Sequence, residues 1–299
     1  MLYRQNDKDL TMAFICSDCP RKCGVDREKN RGFCSCGVFP HISRAAAHFG
    51  EEPCISGSRG SGAVFFSGCN LKCSFCQNHE ISRVEFGKET DIPAFREMLL
   101  RLQDTGVHNI NLVTGTHFVR FVAEALSGLS LSIPVVWNSS GYESVESLRM
   151  LDGLVQVYMP DYKYADHVLA KRYSLAEDYP EVALQAIGEM IRQRSSCIFD
   201  EDGLLVSGVL IRHLILPGHP ENSMDCMDAI ADAYDVNSVL FSLMSQFTPM
   251  ADCDIKERVS AEENQSLIHY MKLRGYSGYT QEICSSTDEM IPEFNMTGV

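Results

Sequence analysis

No stretch of the 299 residues approaches the ~18 apolar residues of a membrane span, which argues against a membrane protein. An apolar leader is not expected either. Met1-Leu2-Tyr3-Arg4-Gln5-Asn6 is polar, with no apolar stretch of signal length behind it. Positive charge is scarce: 26 Lys and Arg stand against 40 Asp and Glu, a net charge of −14, so a nucleic-acid partner is not expected. The deficit is uneven, because residues 1–60 hold 9 basic and 7 acidic residues, a balance of +2, leaving −16 for the remainder. Excess acid of this kind reads as a solvated surface. No internal repeat of solenoid period is visible. The expectation is a cytoplasmic protein of one large α/β domain or two smaller ones.

What the chain does not lack is cysteine, with 13 residues. In reducing cytoplasm, clustered cysteines bind metal more often than they pair. Cys69, Cys73 and Cys76 lie in Ser67-Gly68-Cys69-Asn70-Leu71-Lys72-Cys73-Ser74-Phe75-Cys76-Gln77-Asn78, directly after the apolar run Ala63-Val64-Phe65-Phe66. Thiolates suit soft metals and iron–sulfur clusters. A structural zinc site wants four closed ligands, and His79 follows at an awkward Cys-x2-His distance. A cubane [4Fe–4S] cluster on three cysteines leaves one iron open to a small molecule. The spacing, with the aromatic Phe75 before the last cysteine, resembles the radical S-adenosylmethionine (SAM) superfamily. The resemblance implies that Cys69, Cys73 and Cys76 bind a [4Fe–4S] cluster, with Phe75 and Asn78 beside the SAM site.

From residue 62 onward, short apolar runs alternate with helical periodicity. Strands are expected at 63–67, 109–113, 134–137, 154–158, 208–215 and 238–243. Helices are expected at 91–104, 117–128, 143–150, 180–194, 222–234 and 260–273, the first opened by Asp91-Ile92-Pro93. This alternation implies a parallel sheet with helices outside. The fold class is α/β: a partial (β/α)6 TIM-like barrel, the six-unit form typical of the resembling family, with an N-terminal Cys-rich loop module. The expected division is residues 1–60 for the Cys-rich segment, 61–255 for the barrel, and 256–299 for a C-terminal helix and tail. Loops after parallel strands share one face of a barrel, where active sites gather.

Each post-strand string has a counterpart in the family. Thr114, Gly115 and Thr116 stand where a glycine-rich strand end binds the SAM amino group. A plain turn with Thr116 as helix cap is the other reading. Asn138-Ser139-Ser140-Gly141 resembles the Asp-Thr-Asn-Gly string of glycyl-radical activating enzymes, which implies SAM contacts from Asn138 and Ser140; an ordinary Asn/Ser/Gly turn is the alternative. Asp161-x-Lys163 resembles their Asp-x-Lys pair, with the lysine meeting the SAM carboxylate as a point charge. A surface ion pair is the alternative. Arg212-His213 through Pro217-Gly218-His219 resembles their Arg-Tyr-Val-Val-Val-Pro-Gly segment; strand alternation puts one of Arg212 and His213 inside. Gln246 sits where those enzymes place a histidine near the adenosine.

A second group of thiols precedes the loop: Cys16, Cys19, Cys23, Cys34 and Cys36. Four of these five suit a structural zinc or an auxiliary iron–sulfur centre; a metal-free loop is the third reading. Cys54, Cys197, Cys226, Cys253 and Cys284 are dispersed and read as buried small hydrophobes. The Cys16-to-Arg27 string, Phe49-Gly50-Glu51-Glu52-Pro53 and the Ser67-to-Asn78 loop together resemble the branch related to pyruvate formate-lyase activating enzyme. That branch implies reductive cleavage of SAM to methionine and a 5′-deoxyadenosyl radical, with an electron from a flavodoxin- or ferredoxin-like donor. The substrate would be a glycine of a glycyl-radical enzyme, or another peptide or small molecule. A non-catalytic metal-binding barrel is the rival from another class. Activating enzymes with extra clusters carry them after the SAM loop, whereas these extra cysteines come before it.

Overall fold

A computed structural model describes residues 15–283 and 292–299. Cys284 and parts of both expected terminal segments lie outside the described residues. The chain opens with a cysteine-bearing loop. It continues through β1 (His41–His48), α1 (Pro53–Ser56), β2 (Ser61–Phe66), α2 (His79–Ser82), β3 (Lys88–Glu89), α3 (Ile92–Asp104), β4 (Ile110–Val113) and α4 (Val119–Ser127). Then come β5 (Val135–Ser139), α5 (Val145–Arg149), β6 (Val157–Pro160), α6 (His167–Ser174), α7 (Tyr179–Gln193), β7 (Ile198–Phe199) and β8 (Leu205–Leu214). The chain closes with α8 (Pro220–Ala233), β9 (Leu240–Met244), α9 (Ala261–Leu273) and β10 (Gly278–Thr280).

One sheet runs in the order β10-β9-β8-β6-β5-β4-β2-β1-β3. Neighbours from β10 through β2 are parallel, and β1 and β3 are antiparallel additions. This is the mostly parallel, open barrel that the alternation implies, its six central strands each within a few residues of the expected ranges. Helices form where the outward stripe demands cover. In α3, Asp91 caps the first turn by accepting from the Ala94 N–H at 2.9 Å, and Ile92, Phe95, Met98, Leu99 and Leu102 face the sheet.

Residues 41–48 correct the loop reading of the N-terminal segment. They pair with β2 from Ile42↔Phe66 to His48↔Ser61, with an irregularity at Ile42/Arg44. The stretch His-Ile-Ser-Arg-Ala-Ala-Ala-His has little β propensity, so the strand owes its existence to the open edge of β2. The end of the chain lies along the same strand, through Ala45 N–H to Thr297 O (2.9 Å) and Met296 N–H to Ser43 O (3.1 Å).

Side-chain alternation sorts the barrel interior into layers. Inward residues nearer the strand starts are apolar: Val136, Val157, Met159, Leu210 and Leu240 pack with Cys54 and Ile55 of α1, which stopper the barrel floor. Two residues further along the same strands, inward positions become polar: Asn138, Asp161, Arg212 and Ser242. The outward residues between them, among them Trp137, Tyr158, Ile211 and Phe241, belong to the core under the helices.

Candidate active site

The three loop cysteines follow β2 at the carboxyl rim of the barrel. Gly68 turns the chain at φ +77°, and a Cβ there would stand 2.2 Å from Cys36 Sγ and 2.5 Å from the Cys34 carbonyl, so only glycine fits. Cys69 and Cys73 are buried and Cys76 is half-buried. The Leu71 N–H donates to Cys69 Sγ at 3.3 Å and the Ser174 hydroxyl to Cys73 Sγ at 2.9 Å. Burial pushes the Cys73 thiol up to about 12, against the opposing pull of Lys163, and burial also raises Cys76. Buried thiolates therefore require a bound cation to hold them charged.

Among the described residues, the one trio of ligand atoms mutually within 4.8 Å is Cys34, Cys36 and His117. A zinc ion at about 2.3 Å from each sulfur brings its thiolates to roughly 3.8 Å of one another.

The N-terminal segment braces this loop. Arg21 donates from Nε to the Asn70 carbonyl (2.8 Å) and from a terminal nitrogen to the Ser174 carbonyl (3.0 Å), with Leu175 O as a further acceptor. Lys72 Nζ reaches Ser35 Oγ at 2.7 Å, and Asn70 Nδ2 donates to the Tyr142 carbonyl at 2.7 Å. Phe75 packs against Tyr164, Tyr173 and Phe247. The Asn78 carbonyl accepts from the Ile81 and Ser82 N–H groups and starts α2. Gln77 Nε2 donates to the Gln246 carbonyl at 3.1 Å, so Gln246 lies beside the loop. The Gln246 side chain accepts from Gln281 Nε2 at 3.0 Å.

On the barrel side stands a half-buried network of charge. Arg212 donates from Nε to Asp161 Oδ1 (3.1 Å), and through its terminal nitrogens to Glu51 Oε2 (3.0 Å) and Asn138 Oδ1 (2.7 Å). Glu51 Oε1 accepts from Asn111 Nδ2 (2.9 Å) and Asn138 Nδ2 (3.2 Å). Lys163 Nζ closes the network on Asp161 Oδ2. Lys163–Asp161 is thus a half-buried pair, at 15% and 14% side-chain exposure, not a surface one. Burial works to raise the Asp161 carboxyl, but Lys163 and Arg212 outweigh it and hold it below its ordinary value. Burial likewise works to lower Lys163, and Asp161 reverses it. Of the two adjacent strand residues, Arg212 faces inward. His213 faces outward, between the Tyr162 carbonyl (2.6 Å) and Ser223 Oγ (2.8 Å), and burial lowers it to about 4.

The loops after β5 and β6 are locked together. A Cβ on Gly141, whose φ is +75°, would stand 2.1 Å from the Asp161 carbonyl. The Tyr179 hydroxyl of α7 reaches the carbonyls of Ser140 (2.8 Å) and Asp161 (2.9 Å) and accepts from the Lys163 N–H (3.0 Å). Tyr179→Phe is expected to cost about 1–3 kcal/mol, the scale for stranding buried partners. A urea unfolding midpoint identical to wild type would contradict that. The hydroxyl of Thr116 turns away from the barrel to Glu143 Oε1 (2.7 Å), which also takes Trp137 Nε1 (2.8 Å). Gly115 gives room for that indole, whose Cη2 would lie 2.8 Å from a Cβ. Thr114 adopts φ 62° and donates its N–H to the Asn138 carbonyl at 2.8 Å. The Ser140 hydroxyl and Asn111 Oδ1 are buried without a hydrogen-bond partner, as orphans at a ligand site would be.

Sequence reasoning left Glu51, Tyr179 and His117 unassigned. Glu51 had a visible signal, two adjacent acids before the proline that opens α1. Tyr179 had none.

A partial barrel with three loop cysteines at its carboxyl rim and a charge network at its strand ends has the donor set of an iron–sulfur protein. Residues 63–244 match the Radical SAM superfamily, and the chain belongs to that superfamily. An uncharacterised protein of Methanocaldococcus jannaschii is 32% identical over 263 residues, covering 83% of this chain and 71% of that protein. Among solved structures, Streptococcus suis SuiB bound to S-adenosylmethionine aligns with TM-score 0.48 and 14% identity, over 78% of this chain and 49% of that one. A radical SAM methyltransferase from Sphaerobacter thermophilus aligns with TM-score 0.45 and 15% identity, over 75% and 68% of the two chains. Methylornithine synthase aligns with TM-score 0.49 and 13% identity, over 82% and 74%. Membership implies a [4Fe–4S] cluster and SAM. No helix among the described residues is long and apolar enough to cross a membrane.

Proposed function

We propose that the protein is a radical SAM enzyme of the activating-enzyme type, taking a hydrogen atom from a glycine of a partner protein. The observation that carries the reading is the half-buried Asp161–Lys163–Arg212–Glu51 network at the strand ends, beside the Asn138-to-Gly141 loop. Cys69, Cys73 and Cys76 would hold the cluster, and SAM bound there would supply the reductive cleavage chemistry. The chain's own residues bind and orient. Lys163 offers an ammonium to a carboxylate, with Asp161 keeping it charged. Asn138 and the unpartnered Ser140 hydroxyl offer hydrogen bonds to a polar ligand. Arg212 fixes Asp161 and Asn138 in position from behind. Aromatic side chains around Phe75 exclude water from the loop. A flavodoxin- or ferredoxin-like protein is the proposed electron donor.

The glycine reading is supported by the order of strings along the barrel strands. The position of the extra cysteines before the loop favours a second reading, in which another peptide or a small molecule is the substrate. Anaerobic reconstitution with iron and sulfide, followed by EPR of the reduced protein with and without SAM, tests the common core. The expected result is a [4Fe–4S]⁺ signal that shifts on adding SAM, with 5′-deoxyadenosine formed. A cluster blind to SAM would leave a metal-binding barrel without this chemistry. A glycyl-radical EPR signal in a candidate partner separates the two substrate readings.

A further inference from the structure

Against Ser67 and Gly68, at the start of the cluster loop, lies a second set of metal-type donors. Cys34 Sγ, Cys36 Sγ and a ring nitrogen of His117 lie mutually within 4.8 Å. All three residues are buried, at 6%, 0% and 2% exposure. The distance suits one ion. His117 enters from the end of β4, far from the cysteines in sequence. Its Nε2 lies 2.8 Å from the Ser67 carbonyl, while Nδ1 is buried with no hydrogen-bond partner. One nitrogen held by a backbone carbonyl and the other left open is how metal-bound histidines are oriented. Cys36 Sγ donates to the same Ser67 carbonyl at 3.3 Å, and Arg27 holds the His117 carbonyl at 2.6 Å.

A fourth donor is at hand. A Cβ on Gly32 would stand 3.3 Å from Cys34 Sγ and 3.4 Å from Cys23 Sγ, so the two sulfurs flank one point. Cys19, at 6% exposure, is the buried alternative to Cys23 in the same segment.

We propose that Cys34, Cys36 and His117, completed by Cys19 or Cys23, bind a single zinc-class divalent ion that fastens the N-terminal segment to the barrel at the start of the SAM loop. Mixed thiolate and imidazole donors in a closed tetrahedral set match the preferences of zinc. The site is structural: it pins Ser67 and Gly68, immediately before Cys69. It does not depend on the proposed radical chemistry.

The test uses the full chain carrying Cys69→Ala, Cys73→Ala and Cys76→Ala together, so that SAM-cluster iron does not interfere. Metal content is measured by mass spectrometry, and the ion is then replaced by cobalt(II) to read its ligand field. A stoichiometric ion is expected, with tetrahedral cobalt bands of mixed sulfur and nitrogen donors. His117→Ala is expected to lower the bound ion at least tenfold. His117→Cys is expected to retain it, with bands moved toward an all-sulfur field. Absence of a stoichiometric ion, or cobalt bands unchanged by His117→Ala, would overturn the assignment. If the His117 variants do not fold, the parent protein decides alone: an X-ray absorption shell of four sulfurs and no nitrogen excludes His117, and with it the site. A polynuclear iron spectrum in the parent would overturn the single-ion site in favour of a cluster on the N-terminal thiols.

Discussion

Replacing Arg212 with methionine is expected to lower unfolding free energy by up to about 3–5 kcal/mol, because it leaves Glu51 with amide donors only and Asp161 with Lys163 as its one cation. Asp161 and Glu51 each bind this guanidinium, at 3.1 and 3.0 Å, and Asn138 loses its partner at 2.7 Å. For a chain of this length the melting temperature should fall by roughly 10 °C. Calorimetry on the metal-loaded protein reads the loss. Adding Glu51→Gln removes one stranded charge and is expected to recover part of it; strictly additive losses would mean that the groups do not share a network. The network also sets an acid limit. The folded-state Asp161 carboxyl titrates below its ordinary 3.8, so its stabilising contribution is complete above that value. That contribution drains away as pH falls through the lowered value. In Arg212→Met, with one of two cations gone, this acid limb should begin at higher pH.

The second large effect belongs to Cys73. Cys73→Ala is expected to abolish SAM-dependent formation of 5′-deoxyadenosine, a fall on the order of 10³-fold or more. The [4Fe–4S] signal of the reconstituted protein should be lost with it. Ser174→Ala provides the contrast. It removes the hydroxyl that donates to Cys73 Sγ at 2.9 Å but leaves the sulfur in place. The cluster should form, with an altered reduction potential, since hydrogen bonds to ligand sulfurs tune iron–sulfur centres. A cysteine-free position 73 that still supported SAM cleavage would remove Cys73 from the ligand set.

The barrel strands were legible in the sequence because each is a short apolar run closed by polar or glycine residues, and parallel strands buried on both faces must look like that. Strand β1 was not legible. Its three alanines carry no period-two contrast, and only the unpaired edge of β2 makes a strand of them. The same division holds at the site. Asn138, Asp161 and Lys163 end strands and stood out as polar residues after apolar ones. Thr116 stood in the same kind of string, yet its hydroxyl turns outward to a glutamate whose position depends on the loop after β5. His117 is one residue further along, and nothing local distinguishes it from a solvent-facing histidine. Its surroundings come from Cys34 and Cys36, which reach it only when the N-terminal segment folds back across the rim.

The apolar layer that Cys54 and Ile55 put at the barrel floor closes that end to polar ligands. A ligand of the strand-end charges therefore has two approaches left, over the carboxyl rim or through the open side of the sheet between β10 and β3.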